Sequence, residues 1–354
     1  MGKAAKEILN RTLNMYLETI EDTYQVVMDP PVSSLERVNW EEVKAMAEHI
    51  SKQATIAGML WTGSSPNVKD LEESMNTYFK MLNALLLLSH GSSVGAGPTL
   101  RSCIHTSVKE IVDCSSSLLK EAVSSYGSQN GNGKLSIPQL AGTVWNACDT
   151  LKKTPTTNYT AIGRAITHVA VSVKDVIREM KELKPAPNNP DDESPDAEDE
   201  SSSEADIGSD LSPEEMIIAE STTKLVSDTL IVLKELIRFI TGLLKRPDHN
   251  ESYHSVESLE RLLELARVIG AQVDELGACL YPPQELESIK SASDAMSNAV
   301  NEMKAEIISF QDLHERFYQS CDGFTESLRE FQSKLATVDA NDLVTEIENL
   351  SVSK

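Results

Sequence analysis

Apolar side chains recur along this sequence at alternating intervals of three and four residues, and this spacing constrains the fold more than any other feature. Residues spaced in this way lie on one face of an α-helix, so each run predicts a long amphipathic helix. The clearest runs are Trp40–Trp61, Tyr159–Leu183, Leu259–Leu280, Leu286–Ile307 and Phe310–Val338. Weaker runs cover residues 3–27, 68–88, 100–125 and 137–151, so about ten long helices are expected.

Turn-forming residues separate these runs at intervals of roughly one long helix. They include Pro30 and Pro31, residues 63–66, residues 91–98 and the Gly-rich residues 127–133. An uninterrupted heptad stripe would favour an extended coiled coil, whereas short turns between long helices favour compact bundles. Hairpin turns flanked by alternating apolar residues are missing from the sequence, which disfavours β-structure. The predicted fold class is therefore all-α, with two antiparallel, up-down helical bundles.

The strongest change in composition lies between residues 185 and 211. This segment contains ten Asp or Glu residues and no Lys or Arg. Such a segment cannot bury enough apolar surface to fold. The predicted regions are an N-terminal helical bundle of residues 1–184, an acidic disordered linker of residues 185–211, and a C-terminal helical bundle of residues 212–354.

Serines in and beside the acidic segment are candidate phosphorylation sites. The candidates are Ser194, Ser201, Ser203 and Ser212. Two of them precede an acidic residue by three positions and the other two precede a proline, and phosphate here would deepen the negative charge. Alternatively, these serines only keep a tether soluble. Ser212 is also the expected N-cap of a helix, with Pro213 at the first helical position and Glu215 completing a capping box.

The charge of the chain disfavours several classes of partner. The 354 residues include 55 acidic and 32 basic side chains, a formal charge of −23, which repels nucleic acid and anionic membranes. The most apolar stretch, residues 230–244, is short and carries three charges, so it predicts a buried helix and not a membrane span. The N-terminus lacks an apolar signal core and a myristoylation signal. We expect a cytosolic or nucleocytoplasmic protein without membrane association.

The sequence contains no pattern that is typical of catalysis or of metal binding. Its seven histidines form no His-Glu-x-x-His motif, and its five cysteines include no Cys-x-x-Cys pair. Residues 127–134 differ from a phosphate-binding loop, because Ser128 replaces the first glycine and Leu135 follows Lys134. No Gly-x-Ser-x-Gly motif occurs. We predict no catalytic residue, metal ligand or cofactor, and therefore no enzyme.

Two segments resemble the cyclin-D1-binding protein family. They are Val144–Cys148 and Leu276–Pro283, each of which leads into a predicted helix, with the acidic segment between them. The resemblance extends over the order of elements from about Trp40 onward. It implies helical bundles similar to those of talin and vinculin, binding of D-type cyclins and/or helix-loop-helix transcription factors, negative regulation of the cell cycle by sequestration, and a location in cytoplasm and nucleus.

The resemblance assigns no partner-contact residue. The sequence contains no Leu-x-Cys-x-Glu docking string, and no basic region flanks a predicted helix. A helix-loop-helix factor paired with this chain would therefore gain no second DNA-binding region. Two alternatives remain: a cytoskeletal or scaffold adaptor of the talin and vinculin kind, and, third, an enzyme with an unrecognised polar cleft. The sequence leaves open the oligomeric state and whether the first helix packs on the first or the second bundle.

Overall fold

The computed structural model describes residues 2–32, 34–62, 67–126, 131–185, 210–245, 253–310 and 314–352. Over these ranges the chain forms ten α-helices and one pair of two-residue β-strands, which confirms the all-α class. The chain divides into two compact units, Met1–Ala161 and Ile162–Lys354. Among the described residues, no helix has both the length and the apolarity needed to cross a bilayer.

The first unit is built from five long helices. They are α1 (Gly2–Met28), α2 (Trp40–Thr62), α3 (Val68–Ser92), α4 (Pro98–Ser125) and α5 (Gly131–Lys152). Asn67 caps α3 by accepting a hydrogen bond from the Lys69 N–H, and Pro98 occupies the start of α4. The turn between these two helices requires Gly95, whose φ of 75° is readily adopted only by glycine.

Helices α2 and α5 are antiparallel neighbours within the first unit. Gly58 lies beside Ala141, while Lys152 near the end of α5 pairs with Glu48 near the start of α2 at 3.6 Å. The core of this unit is a cluster of buried apolar side chains with several buried polar groups among them. One of these groups, the Tyr78 hydroxyl, donates a buried 3.1 Å hydrogen bond to Ser115 Oγ and so joins α3 to α4.

Helix α1 packs on the first unit, which answers a question that the sequence left open. It runs parallel to α3: Tyr16 stacks on Phe79 with ring centroids 4.9 Å apart, and the Val27 carbonyl lies 3.2 Å from His90 Nδ1. It runs antiparallel to α4, and Lys6 donates a hydrogen bond to the Ser124 carbonyl. Its apolar stripe of Leu9, Leu13, Ile20 and Val27 is buried.

The second unit also contains five helices. They are α6 (Asn158–Met180), of which all but the first residues belong to this unit, α7 (Pro213–Leu244), α8 (Tyr253–Cys279), α9 (Leu286–Ile308) and α10 (Glu315–Val352). Ion pairs join α7 to α10, α8 to α9 and α9 to α10, and they are Lys224–Glu330, Arg261–Glu302 and Lys304–Asp322. A second contact in each helix pair advances along one helix and goes back along the other, so each pair is antiparallel. These contacts are Asp228–Ser327, Ser258–Ser309 and Asp294–Gln332. The run expected from Phe310 begins its helix only at Glu315.

Helix α6 packs within the second unit, although the sequence analysis placed it in a bundle of residues 1–184. Gly270 and Gly277 on α8 each lie against a valine of α6, and a Cβ atom at either glycine would be 2.9 Å from the Cγ1 atom of Val169 or Val176. These two contacts advance in the same direction along α6 and along α8, so the two helices are parallel. The compact units therefore divide near the start of α6, well before the acidic segment.

Both ends of the acidic segment lie in the second unit. Strand β1 (Lys184–Pro185) pairs in parallel with strand β2 (Asp210–Leu211), so the residues on either side of the acidic segment lie next to each other. Leu211 is fully buried there. The two ends of the segment predicted as a linker of residues 185–211 thus lie in one unit, whereas the two compact units divide near the start of α6. Residues 186–209 themselves lie outside the described residues.

The predicted start of a helix at Ser212 is confirmed at the level of individual hydrogen bonds. Ser212 Oγ accepts a hydrogen bond from the Glu215 N–H at 3.1 Å, and the Ser212 N–H donates to Glu215 Oε2 at 2.9 Å. Pro213 is the first residue of α7. Gln284, in the turn after α8, donates to the Glu215 carbonyl at 3.1 Å, so this capping box also fixes the turn between α8 and α9.

Candidate partner-binding surfaces

The cysteines of the chain have the environment of structural residues. All five are free thiols, and Cys148 and Cys321 are buried. Burial raises the pKa of both of these thiols to about 12, so they remain protonated and unreactive near neutral pH. Within the described ranges, His, Cys, Asp and Glu side chains form no group of three or more that could hold a metal ion.

One candidate is a groove of about 600 Å³ between α1 and α4, here called the α1–α4 groove. It exists because α1 packs mainly along α3 and only partly covers α4. Tyr24 and Met28, one helical turn apart, supply the α1 wall. Along α4, the lining residues Arg101, His105 and Lys109 follow at intervals of four, which places them in one row.

One end of this groove has its charges satisfied within the fold. Lys109 lies 5.2 Å from the centre of the Tyr24 ring and pairs with Asp113 at 3.3 Å. The hydrogen bond that Lys109 donates to the Asp113 carboxylate raises the pKa of the Lys109 ammonium, so Lys109 stays charged. Glu110 also lines this end, which is therefore acidic overall.

The other end contains two side chains whose bonding capacity is not used. Arg101 forms no ion pair with any part of the chain that the structure describes. His105 Nε2 is buried without a hydrogen-bond partner. Burial, followed by the charge of Arg101 and the proximity of His90, lowers the pKa of His105, so its ring is neutral near pH 7. A buried nitrogen without a partner costs about 1–3 kcal/mol.

A second candidate is an exposed apolar surface on α2 and α5, here called the Trp145 surface. Ile56, Met59 and Trp145 have exposed fractions of 53%, 71% and 42%. The antiparallel register of α2 and α5, with Gly58 beside Ala141, brings the three side chains to neighbouring turns. Large exposed apolar side chains that are grouped in this way are typical of protein interaction sites.

Comparison with known protein families covers most of this structure. A model of the N-terminal region of the Grap2 and cyclin-D-interacting family matches residues 42–186, and a model of the C-terminal region matches residues 190–305. The two matches together cover well over half of the chain. The chain belongs to the Grap2 and cyclin-D-interacting family. This confirms the resemblance that was inferred from the sequence.

Two relatives of the chain are each described as Cyclin-D1-binding protein 1 homolog. The relative from Xenopus laevis is 23% identical over 274 residues, which cover 75% of this chain and 78% of the relative. The relative from Danio rerio is 23% identical over 257 residues, which cover 71% of this chain and 72% of the relative. The similarity is therefore spread over most of each protein.

The two candidate surfaces differ in how much of each lies within the range that the family model matches. All of the Trp145 surface lies within residues 42–186, as does the α4 wall of the α1–α4 groove. Helix α1, which supplies the other wall, precedes the matched range, and α10 follows the range matched by the C-terminal model. The boundary between the two family models falls in the acidic segment, whereas the compact units divide near the start of α6.

The two segments that suggested the family occupy different positions in the fold. In Val144–Cys148, on α5, Val144 and Cys148 face the core while Trp145 is exposed. Leu276–Pro283 forms the end of α8 and the turn before α9, which contains the cis peptide bond between Pro282 and Pro283. Prolines cannot continue a helix, and α8 accordingly ends at Cys279, just before them.

Of the four candidate phosphorylation residues, only one lies within the part of the chain that the structure describes. Ser194, Ser201 and Ser203 lie outside the described residues, and Ser212 is the half-buried N-cap of α7. Sequence reasoning missed Arg101 and His105, because their common row becomes a site only when α1 forms the opposite wall. Trp145 could have been found, since it lies off the apolar stripe of α5.

Proposed function

We propose that this chain is a non-enzymatic regulator that binds D-type cyclins and/or helix-loop-helix transcription factors and negatively regulates cell-cycle progression by sequestering them. The match of both halves of the chain to the Grap2 and cyclin-D-interacting family carries this proposal. The names of the two relatives support the cyclin as a partner. Regulation of this kind acts by occupying a surface and requires no turnover.

We place the cyclin contact on the Trp145 surface. This surface lies within the range that matches the family, as a function shared by the family requires. Tryptophan is also the residue type most enriched among side chains that dominate binding energy at interfaces. Met59 supplies a flexible apolar neighbour on α2, and such side chains adapt to the shape of a partner.

The helix-loop-helix factor is the second partner in this proposal. The formal charge of −23 makes this chain a poor ligand for DNA. A transcription factor bound to it would lack a second basic region for DNA contact, so sequestration would lower DNA occupancy. Such a role requires the protein in both cytoplasm and nucleus, and this location forms part of the proposal.

Phosphorylation is the proposed means of control. Phosphate on Ser194, Ser201 or Ser203 would add charge to a segment that already carries ten acidic residues. Phosphate on Ser212 would lie beside the Glu215 carboxylate, which accepts the Ser212 N–H at 2.9 Å. Repulsion between the two anions would open the capping box. Mass spectrometry of the protein from cycling cells tests these sites, and phosphate on none of the four would refute this mode of control.

Affinity purification of the full-length chain, followed by mass spectrometry, tests the proposed partners. We expect a D-type cyclin or a helix-loop-helix factor to be recovered with the natural chain and to be depleted with Trp145→Ala. Tyr281→Ala is the matched control, because Tyr281 is also an exposed aromatic residue but lies in the second unit. Recovery of actin-associated proteins alone would replace the proposal with the scaffold function.

A further inference from the structure

The α1–α4 groove combines an apolar wall with two polar groups that lack partners. Met28 is exposed by 43% and lies one turn from Tyr24, so α1 presents apolar surface to the groove. On α4, Arg101 and His105 lie four residues apart and therefore about 6 Å apart along the helix axis. An occupant that touches both walls must therefore be apolar on one side and polar on the other.

The charge of Arg101 identifies the polar part of that occupant. Arg101 carries a permanent positive charge on the wall of the groove and forms no ion pair with a carboxylate among the described residues. Neutral His105 can donate a hydrogen bond from its unpartnered Nε2 when that nitrogen carries the ring proton. A guanidinium and an imidazole N–H together match the two oxygens of one carboxylate.

The charges at the opposite end of the groove indicate whether the ligand carries a single carboxylate or several negative charges. Glu110 and Asp113 line that end, and Lys109 is already paired with Asp113. A phosphorylated or highly acidic ligand that filled the groove would meet these carboxylates and be repelled. The groove volume of about 600 Å³ is within the range of sites that hold several ligand groups, so a short peptide fits better than an isolated ion.

We infer that the α1–α4 groove binds a peptide segment of a partner protein, whose single Asp or Glu carboxylate is held by Arg101 and His105 while a neighbouring apolar side chain packs on Tyr24 and Met28. The segment follows α4 toward Asp113, about 18 Å from Arg101 along the helix axis. Near that end its side chains are neutral or basic, since Glu110 and Asp113 exclude further acids.

This inference is independent of cyclin binding at the Trp145 surface. The two surfaces lie on different pairs of helices, α1 with α4 and α2 with α5. Substitution in one surface is therefore expected to leave binding at the other unchanged. Because α1 precedes the range matched by the family model, the groove is expected to be a property of this chain that the family function does not require.

Selection from a library of random 12-residue peptides displayed on phage tests the inference with the full-length chain as target. We expect the selected peptides to share one Asp or Glu position flanked by a large apolar residue. Their binding to Arg101→Gln is expected to be at least tenfold weaker, the loss typical of a charge-assisted hydrogen bond. Arg267→Gln is the matched control, because Arg267 is an exposed arginine on α8 in the second unit.

A second substitution separates a binding role from a structural one. His105→Gln keeps a hydrogen-bond donor near the carboxylate, so it is expected to weaken peptide binding less than His105→Ala does. Circular dichroism spectra of all variants should match that of the natural chain. The inference is overturned if the selected peptides show no enrichment of Asp or Glu, or if Arg101→Gln and Arg267→Gln bind them equally well.

Discussion

Removing α6 from the second unit should cost that unit most of its stability. Within Ile162–Lys354, α6 and the residues after it bury a row of large apolar side chains. The row consists of Ile162, Ile166, Val173, Ile177, Met180 and Leu183. Complete burial of one such side chain contributes about 1.5–3 kcal/mol, so six contribute roughly 9–18 kcal/mol. A compact unfolded state lowers this sum by about 10–40%.

Removal of α6 also uncovers the surface of α8 on which it packs, so apolar side chains become exposed on both sides of the contact. A fragment of residues 212–354 should therefore lack cooperative unfolding in urea and should bind the dye ANS through its exposed apolar face. A fragment of residues 157–354, which keeps α6, should unfold cooperatively and bind little dye. Urea unfolding followed by circular dichroism, with ANS fluorescence on both fragments, provides the measurement.

The contrary result is a fragment of residues 212–354 that unfolds as cooperatively as the longer fragment and at the same urea concentration. Such a result would mean that α6 contributes little to the second unit and that the acidic segment separates the folding units after all. The longer fragment serves as the internal control, because it differs from the shorter one only by α6, the acidic segment and the strands at its base.

Two further predictions concern single side chains and can be measured by urea unfolding of the full chain. Tyr78→Phe should lower stability by about 1–3 kcal/mol, because it leaves Ser115 Oγ buried without its 3.1 Å partner; no loss would mean that a water replaces the hydroxyl. Gly277→Ala should be destabilising, because its Cβ would lie 2.9 Å from the stiff Val176 side chain, and overpacking of this kind costs about 1–3 kcal/mol. Gly142→Ala is the control for Gly277→Ala, because open space surrounds Gly142. Its better helix propensity should raise stability by about 0.5–1 kcal/mol. Equal effects at both glycines would contradict the packing of α6 on α8.

The local features of the fold could be predicted from the sequence because they depend on neighbours along the chain. Three- and four-residue apolar spacing located the helices, and Ser212 with Glu215 located the start of α7 to the residue. The turn after α8 followed from Pro282 and Pro283, which cannot continue a helix. Each of these signals acts within one or two helical turns.

The sequence could not predict which compact unit α6 belongs to, because this depends on contacts between residues that are far apart along the chain. The close approach of α6 to α8 relies on Gly270 and Gly277, about 100 residues further along the chain. An isolated glycine in a helix does not indicate which other helix packs against it. The large change in composition near residue 185 favoured a boundary there, yet β1 and β2, on either side of that segment, pair within one unit. The α1–α4 groove was missed for the same reason, since its walls come from helices separated by two others.

Calorimetric titration of the purified full-length chain with a purified D-type cyclin tests the central proposal most directly. The proposal predicts saturable binding of one cyclin per chain with a dissociation constant of about 1 μM or below, which corresponds to a binding free energy of about −8 kcal/mol or stronger. Trp145→Ala should weaken this binding about 30-fold, the effect of losing about 2 kcal/mol at an interface hot spot, and Tyr281→Ala should leave it unchanged. Absence of binding heat with both proteins folded, at concentrations of about 100 μM, would contradict cyclin binding by this chain.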